Sequence, residues 1–303
     1  MLGTGPGLRP ETAREPVWFV ICCSRIVNSR ALFLVDADPN IRQTLAQALQ
    51  RDGRTLETSP DPKEALERLR SIPCDLLVAG QGNNGIDGLK LLRRARAIRP
   101  DLKVLVSGQP DPRRVLTAIR DHAYGYFHQP VAPSVVADLV HHALESDEWK
   151  DDLRVISARP EWITLDIRCR MQAVERTTHH LREFLPDVKA QACEDVAIAF
   201  RELLMNAVEH GGKYDAKKRV RMSLLRASRA IVVHIADPGS GFSLEDLPHA
   251  AISNPDGDPT RHLDLRSDHG QRPGGFGILM SRQLVDDLLY NGRGNAVVFV
   301  KYL

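Results

Sequence analysis

Between Ala31 and Glu145, apolar runs of strand length alternate with segments whose apolar residues recur at helical spacing, and this alternation restricts the fold more than any other feature of the chain. ALFLV (31–35) is followed by IRQTLAQALQ (41–50), RTLET by PDPKEALERLRS, and DLLVA by GIDGLKLLRRARA. KVLVS then precedes DPRRVLTAIRDH, and GYF precedes APSVVADLVHHALE. Parallel strands need a crossover that is usually a helix. Strand–helix units repeated with short links therefore predict a parallel sheet wound on both faces. In such sheets ligands bind beyond the carboxyl ends of the strands, where strand order reverses. The residues at those ends are Asp36, Ala37 and Asp38 after the first strand, Gly80 after the third, Ser107 after the fourth, and Gln129 before Pro130 after the fifth.

That layout, with IDGL downstream of Gly80 and Gly-Tyr-Phe leading to a proline, resembles the receiver domain of bacterial response regulators over residues 30–146. The resemblance implies a flavodoxin-like doubly wound sheet. In that family, acidic residues after strand one hold magnesium, an aspartate after strand three accepts the phosphoryl group, and a lysine precedes the proline. Only Asp36 and Ser107 keep matching types; Ala37, Gly80 and Gln129 do not. Phosphoryl transfer to this domain needs a carboxylate nucleophile and glycine supplies none, so the expectation is a receiver-like domain that is not phosphorylated. Its role is then that of a scaffold or interaction module, and by analogy with that family the face of helix four and strand five is a natural contact surface.

After a charged stretch, SDEWKDDLR (146–154), the pattern changes. WITLDIRC (162–169) alternates like a strand, MQAVERTTHHLREFL reads as a helix, and EDVAIAFRELLMNAVEHGG (194–212) as a second helix. Glu202, Asn206 and His210 project from one face of it, while Val196, Ala197, Phe200, Leu203, Leu204 and Ala207 hold the core side. A hairpin over 220–242 ends its second strand at Asp237, with Gly239 and Gly241 following. HGQRPGGFGILMSRQLVDDL (269–288) then places a glycine-rich loop before a helix, whose terminal amides favour phosphate anions.

NAVEHG, DPGSGF and GGFGILM, in this order, resemble the ATP-binding fold shared by gyrase-type ATPases, heat-shock chaperones, histidine kinases and MutL-like proteins, the GHKL or Bergerat fold, over about 159–303. Within it the strand, long helix and ExxxNAxxHG are similar to the anti-sigma-factor serine kinase group. The resemblance implies a two-layer α/β sandwich that binds ATP and Mg2+. Glu202 becomes the general base, Asn206 the magnesium ligand, Asp237 the adenine-binding carboxylate, and His210 a further cofactor contact. Gly239, Gly241, Gly274, Gly275 and Gly277 shape the pocket, and Arg272 in a lid over 243–273 meets the terminal phosphate. Pro273 departs from the glycine common in relatives. The implied partners are an anti-sigma-factor-antagonist protein as serine substrate and a sigma factor or equivalent regulator; a homodimer is implied by resemblance alone.

Two alternatives stand beside this reading: an ATP-dependent binding module without turnover, and a histidine-kinase-like component of a phosphorelay. For the latter, His179-His180 echo a phosphorylation box, but the offsets of arginine and proline are wrong. Both that pair and His141-His142 are expected on the surface. The formal net charge of +2 offers no reason to expect nucleic acid. No apolar stretch is long enough to span a membrane, and the five cysteines show no metal-ligand spacing and an odd count. A cytoplasmic protein with reduced thiols is expected. VWFVICC (17–23) lacks a cleavage site for a signal peptide, GTGPGL from Gly3 follows no strand, and residues 1–29 are expected to form a loose extension. Residues 147–158 are expected to link the two domains.

Overall fold

A computed structural model describes residues 30–50, 54–81, 87–242 and 276–303. The expected amino-terminal extension and the expected lid, with Arg272, Gly274 and Gly275, lie outside the described residues.

The first domain runs β1 (Arg30–Val35), α1 (Pro39–Leu49), β2 (Arg54–Ser59), α2 (Pro62–Arg68), β3 (Leu76–Ala79), α3 (Gly88–Ile98), β4 (Lys103–Gly108), α4 (Pro112–Arg120), β5 (Gly125–His128) and α5 (Pro133–Glu145). All strand pairs are parallel, in the order β2-β1-β3-β4-β5. The helices begin where the sequence dictates. Asp38, Asp61 and Asp111 each accept backbone N–H groups at a helix start, and each is followed by a proline at the first helical position. The aspartate satisfies donors the helix cannot, and proline has no N–H to strand there. Strands β1, β3 and β4 are buried on both faces: Leu32 and Leu34 pack with α1 and α5 residues, Phe33 and Val35 with α2 and α3 residues.

The second domain runs β6 (Leu153–Arg159), β7 (Trp162–Arg168), α6 (Met171–Phe184), α7 (Ala190–Asn206), β8 (Arg219–Arg226), β9 (Ala230–Ala236), α8 (Gly277–Leu284), β10 (Asp287–Tyr290) and β11 (Ala296–Tyr302). Its antiparallel sheet has the order β10-β11-β9-β8-β7-β6. Alternation places Ile163, Leu165, Ile167, Val220, Met222, Leu224, Ile231, Val233 and Ile235 in the core shared with the helices. The expected core residues of α7, from Val196 to Ala207, are all buried there. Part of the expected linker is structured: residues 153–158 belong to β6, the edge strand paired with β7. Its alternation is interrupted by a register shift between Val155 and Ser157, which hides the strand from a reading by periodicity.

The apolar core does not stop at the domain boundary. Val115, Leu116 and Ile119 of α4 share one cluster with Leu181, Phe184 and Leu185 at the end of α6. Polar groups complete the joint. Arg176 of α6 is fully buried, donating from Nε to the Tyr124 carbonyl at 2.7 Å, from Nη2 to that of Ala123 at 2.7 Å, and from Nη1 to that of Trp149 at 2.9 Å. Its guanidinium lies 5.1 Å from the ring centroids of both Tyr124 and Trp149, a desolvated cation–π arrangement. One turn on, His179 Nε2 donates to the Tyr126 carbonyl. Glu183 then accepts from the His128 backbone N–H at 3.0 Å and faces His128 Nδ1 at 2.7 Å. Side chains along one stripe of α6 thus cover the backbone of β5, an edge strand paired in its sheet with β4 alone. The expectation that His179 and His180 sit on the surface is corrected: His180 is buried, and burial pushes His179 down to about 4 and His180 well below the usual range. His141 and His142 are exposed, as expected.

Candidate functional site

The expected site residues that are described fall in two places, and they differ in what surrounds them. At the carboxyl end of the first sheet, Asp36 is 2% exposed and accepts from the Asp38 N–H at 2.9 Å. Asp38 is itself occupied in capping α1 through the N–H groups of Asn40 and Ile41. A Cβ placed on Gly80 would lie 2.1 Å from Asp36 Oδ2. The carboxylate of residue 36 therefore fills the space into which a side chain at residue 80 would extend. Ser107 Oγ accepts from Gln129 Nε2 at 2.9 Å, a neutral contact where the receiver pattern has a lysine. Ala37 gives its backbone N–H to the Gln81 carbonyl at 2.6 Å, and its own carbonyl accepts from Arg42 Nη1 at 3.4 Å. Burial pushes the Asp36 carboxyl above its ordinary range, against the Asp38 and Gln81 backbone contacts that favour ionisation. These residues do not fit magnesium: the ion needs several ionised or carbonyl oxygens with room for water, and here one carboxylate is buried and another is a helix cap.

The second place lies between α7, the end of β9 and the start of α8. Glu202 and Asn206 are one helical turn apart on α7. A Cβ on Gly277, the first residue of α8, would sit 3.0 Å from Glu202 Oε2 and 3.5 Å from Asn206 Nδ2. The α7 carboxylate and amide therefore converge on a helix N-terminus. After Asn206, α7 widens into a π-turn, Ala207–Gly211, in which the Gly212 N–H reaches back to the Ala207 carbonyl at 2.8 Å. That turn brings Gly211 against Asp237: a Cβ on Gly211 would fall 2.1 Å from Asp237 Oδ1, so only glycine allows the approach.

Asp237 follows β9. Its N–H is held by the Asn295 carbonyl at 2.9 Å, and its Oδ1 accepts from the Gly239 N–H at 2.7 Å. Burial raises the Asp237 carboxyl above the usual carboxylate range, while the Gly239 amide and His210 pull the other way. His210 itself is exposed, at the π-turn near that carboxylate. Gly241 turns the chain with φ +84°, a conformation that side chains resist. A half-buried carboxylate with one oxygen anchored can accept from an exocyclic amine with the other. The amide and carboxylate oxygens of α7 form an incomplete oxygen set, which suits a magnesium ion whose remaining ligands come from substrate phosphates and water. Among the described residues no cluster of three or more His, Cys, Asp or Glu could hold a metal by itself.

Sequence reasoning missed Arg201. Its guanidinium joins Glu175 of α6 to Glu202, with Nη1 3.1 Å from Glu202 Oε1. Neighbouring residues on a helix do not normally face one another, so spacing gave no signal for it. The polar residues of α6 that meet β5 were also missed. A signal existed there, since Arg176, His180 and Glu183 fall at helical spacing between apolar residues and Trp149 interrupts a charged stretch.

Residues 32–141 match the family described as response regulator receiver domain, and residues 167–301 match histidine kinase-like ATPase domain. The chain thus carries a receiver domain followed by a histidine kinase-like, GHKL-type ATPase domain, and the second of these implies ATP binding. Among characterised proteins it is 33% identical over 103 residues to the C4-dicarboxylate transport transcriptional regulatory protein DctD of Rhizobium meliloti (strain 1021), covering 34% of this chain and 22% of that protein. It is 31% identical over 114 residues to the DNA-binding transcriptional regulator NtrC of Escherichia coli (strain K12), covering 37% and 24%. These matches span about a quarter or less of either regulator. The C-terminal region is distantly similar to the serine-protein kinase RsbW of Listeria monocytogenes serovar 1/2a, 28% identical over 114 residues, covering 37% of this chain and 68% of the kinase. A CheY-like receiver domain structure from Methanospirillum hungatei JF-1 aligns with a TM-score of 0.37 and 21% identity, covering 40% of this chain and 97% of that one. No helix among the described residues is long and apolar enough to cross a membrane.

Proposed function

We propose that this chain is a protein serine kinase of the anti-sigma-factor type, which binds ATP with Mg2+ and transfers the terminal phosphoryl group to a serine of an antagonist-type partner protein. The convergence of Glu202 and Asn206 on Gly277 carries this reading, because it sets a base and a metal-binding amide beside the helix terminus that favours phosphates. Asp237 accepts the adenine amine, and Asn206 holds the magnesium that neutralises phosphate charge. Glu202 removes the proton from the incoming serine hydroxyl; positioning and charge neutralisation supply most of the acceleration. Similarity to RsbW supports the substrate class.

In the same reading the receiver domain is not phosphorylated and acts on the kinase through α6. The joint of Arg176, His179 and Glu183 with β5 supports this, since it fixes the helix that packs beside α7. The phosphorelay alternative is less well supported, because His179 and His180, the pair that echoes a phosphorylation box, are turned into that joint. The reading without turnover is favoured by one observation, the ion pair that occupies Glu202 Oε1.

Titration calorimetry of the full chain with ATP and Mg2+, paired with phosphate transfer to a co-purified partner, tests the proposal. Wild type binds and transfers, Glu202→Ala binds without transfer, and Asp237→Asn loses most binding. No heat with any divalent ion overturns the reading.

A further inference from the structure

Arg201 stands between two carboxylates, with each of its three nitrogens donating to one of them. Nε donates to Glu175 Oε1 at 3.0 Å and to Oε2 at 3.2 Å, and Nη2 donates to Oε1 at 2.5 Å. Nη1 reaches Glu202 Oε1 at 3.1 Å. The Glu175 contact, with Glu202 adding to it, holds the guanidinium firmly charged. As a rigid planar fork, it has its orientation set by Glu175 on α6, and in turn fixes where Glu202 Oε1 lies. Glu202 Oε2 is left toward the start of α8.

Resting on the kinase reading above, we propose that Arg201 is the positioning residue of this site, holding Glu202 so that Oε2 is the oxygen that takes the acceptor's proton. In the step it serves, the hydroxyl proton passes to Oε2 and the acceptor oxygen bonds to the terminal phosphorus. The bond from that phosphorus to the bridging oxygen breaks, and ADP leaves with the electron pair. Magnitudes separate this role from a structural one. The side chains of Arg201 and Glu175 are 38% and 30% exposed, and pairs that wet contribute little to stability. A reacting group misplaced by about 1 Å, by contrast, loses on the order of a hundredfold in rate. The arginine charge does not silence the base, because it is shared with Glu175.

The test uses the full chain with Mg-ATP, measuring ADP release with water as acceptor, for Arg201→Gln, Arg201→Lys, Glu175→Gln, Glu202→Gln and the Arg201→Gln/Glu202→Gln double variant. Arg201→Gln is expected to lower kcat by about tenfold to a hundredfold, with KM for ATP and the melting temperature nearly unchanged. Arg201→Lys recovers part of the rate, since one ammonium can meet one carboxylate but not fork to both. Glu175→Gln falls between. Adding Arg201→Gln to Glu202→Gln costs nothing further, because the residue acts only through that base. An unchanged kcat in Arg201→Gln, a loss confined to KM, or additive losses in the double variant overturns this proposal alone. A wild-type chain that binds Mg-ATP and neither releases ADP with water nor transfers phosphate to the co-purified partner overturns the kinase reading and this proposal with it.

Discussion

Each domain ends strands in a carboxylate, Asp36 after β1 and Asp237 after β9, and burial raises both above their ordinary range. They differ in what lies beside them. Asp36 has turned into the space vacated at Gly80, so the acceptor position is filled by the domain's own side chain. Asp237 is approached by Gly211, whose missing Cβ leaves its backbone against the carboxylate. The same residue type, glycine facing aspartate, closes one site and shapes the other. A site therefore follows from which group moves into the space a glycine leaves, not from the presence of the acid.

The sharpest way to break this comparison is at the open site. Glu202→Gln keeps the shape and removes the base, and is expected to lower phosphoryl transfer by about a hundredfold to ten-thousandfold with nucleotide affinity retained. Rapid-quench measurement of transfer, beside calorimetry, checks both halves. The next largest effect is at the joint. Arg176→Met keeps the bulk of the side chain but abandons three carbonyl acceptors, on Ala123, Tyr124 and Trp149. An unsatisfied buried carbonyl costs about 1–3 kcal/mol, less where water enters. Faster hydrogen exchange in β5 and α6, with β2 unchanged, is the expected signature; protection that stays uniform counts against a joint held by this residue.

At the closed site, Gly80→Asp restores the residue type of an acceptor, yet it is not expected to restore acceptance. The new Cβ meets Asp36 Oδ2 at 2.1 Å, so one carboxylate must be displaced beside another. Overpacking of this kind costs about 1–3 kcal/mol, a drop of several degrees in melting temperature. Intact-mass measurement after acetyl phosphate shows no adduct if the site is closed for steric and electrostatic reasons together. Acceptance by Gly80→Asp/Asp36→Ala, but not by Gly80→Asp, would sharpen the point to Asp36 itself.

The first domain was legible almost element by element, because its signals are local: aspartate-proline caps at three helix starts, and strands buried on both faces that read as unbroken apolar runs. The placement of Glu202 and Asn206 on one turn of α7 and of Asp237 after β9 was legible through helical spacing and a strand end. The joint between domains was not. It depends on polar residues of α6 meeting backbone carbonyls from a distant strand, and a pattern of apolar spacing assigns such residues to solvent. Strand β6 was hidden by its own irregularity, since a register shift breaks the period-two alternation. Arg201 was hidden because its meaning comes from Glu175, a partner on another helix.

The smallest effect is a dependence of the joint on pH, and its sign follows from burial. His179 is held down to about 4 from 6.5, because the neutral ring suits its desolvated position and gives Nε2–H to the Tyr126 carbonyl. Its folded value lies below its unfolded one, so its contribution is complete above about 6.5 and is lost as pH falls toward about 4. The groups facing it act in both directions. Arg182 and His128 add positive charge that disfavours protonation of the ring. Glu183, raised mainly by burial against its contact with His128, works in the opposite direction as it takes up a proton, so the His179 contribution is isolated by comparing wild type with a His179 variant. Lowering the pH from 7 to 5.5 is therefore expected to weaken the joint by about 1 kcal/mol, seen as faster exchange of the β5 amides. In His179→Gln, which keeps a side-chain N–H donor, that acid sensitivity is expected to shrink; an identical acid response in the variant would show that the proton is taken up elsewhere.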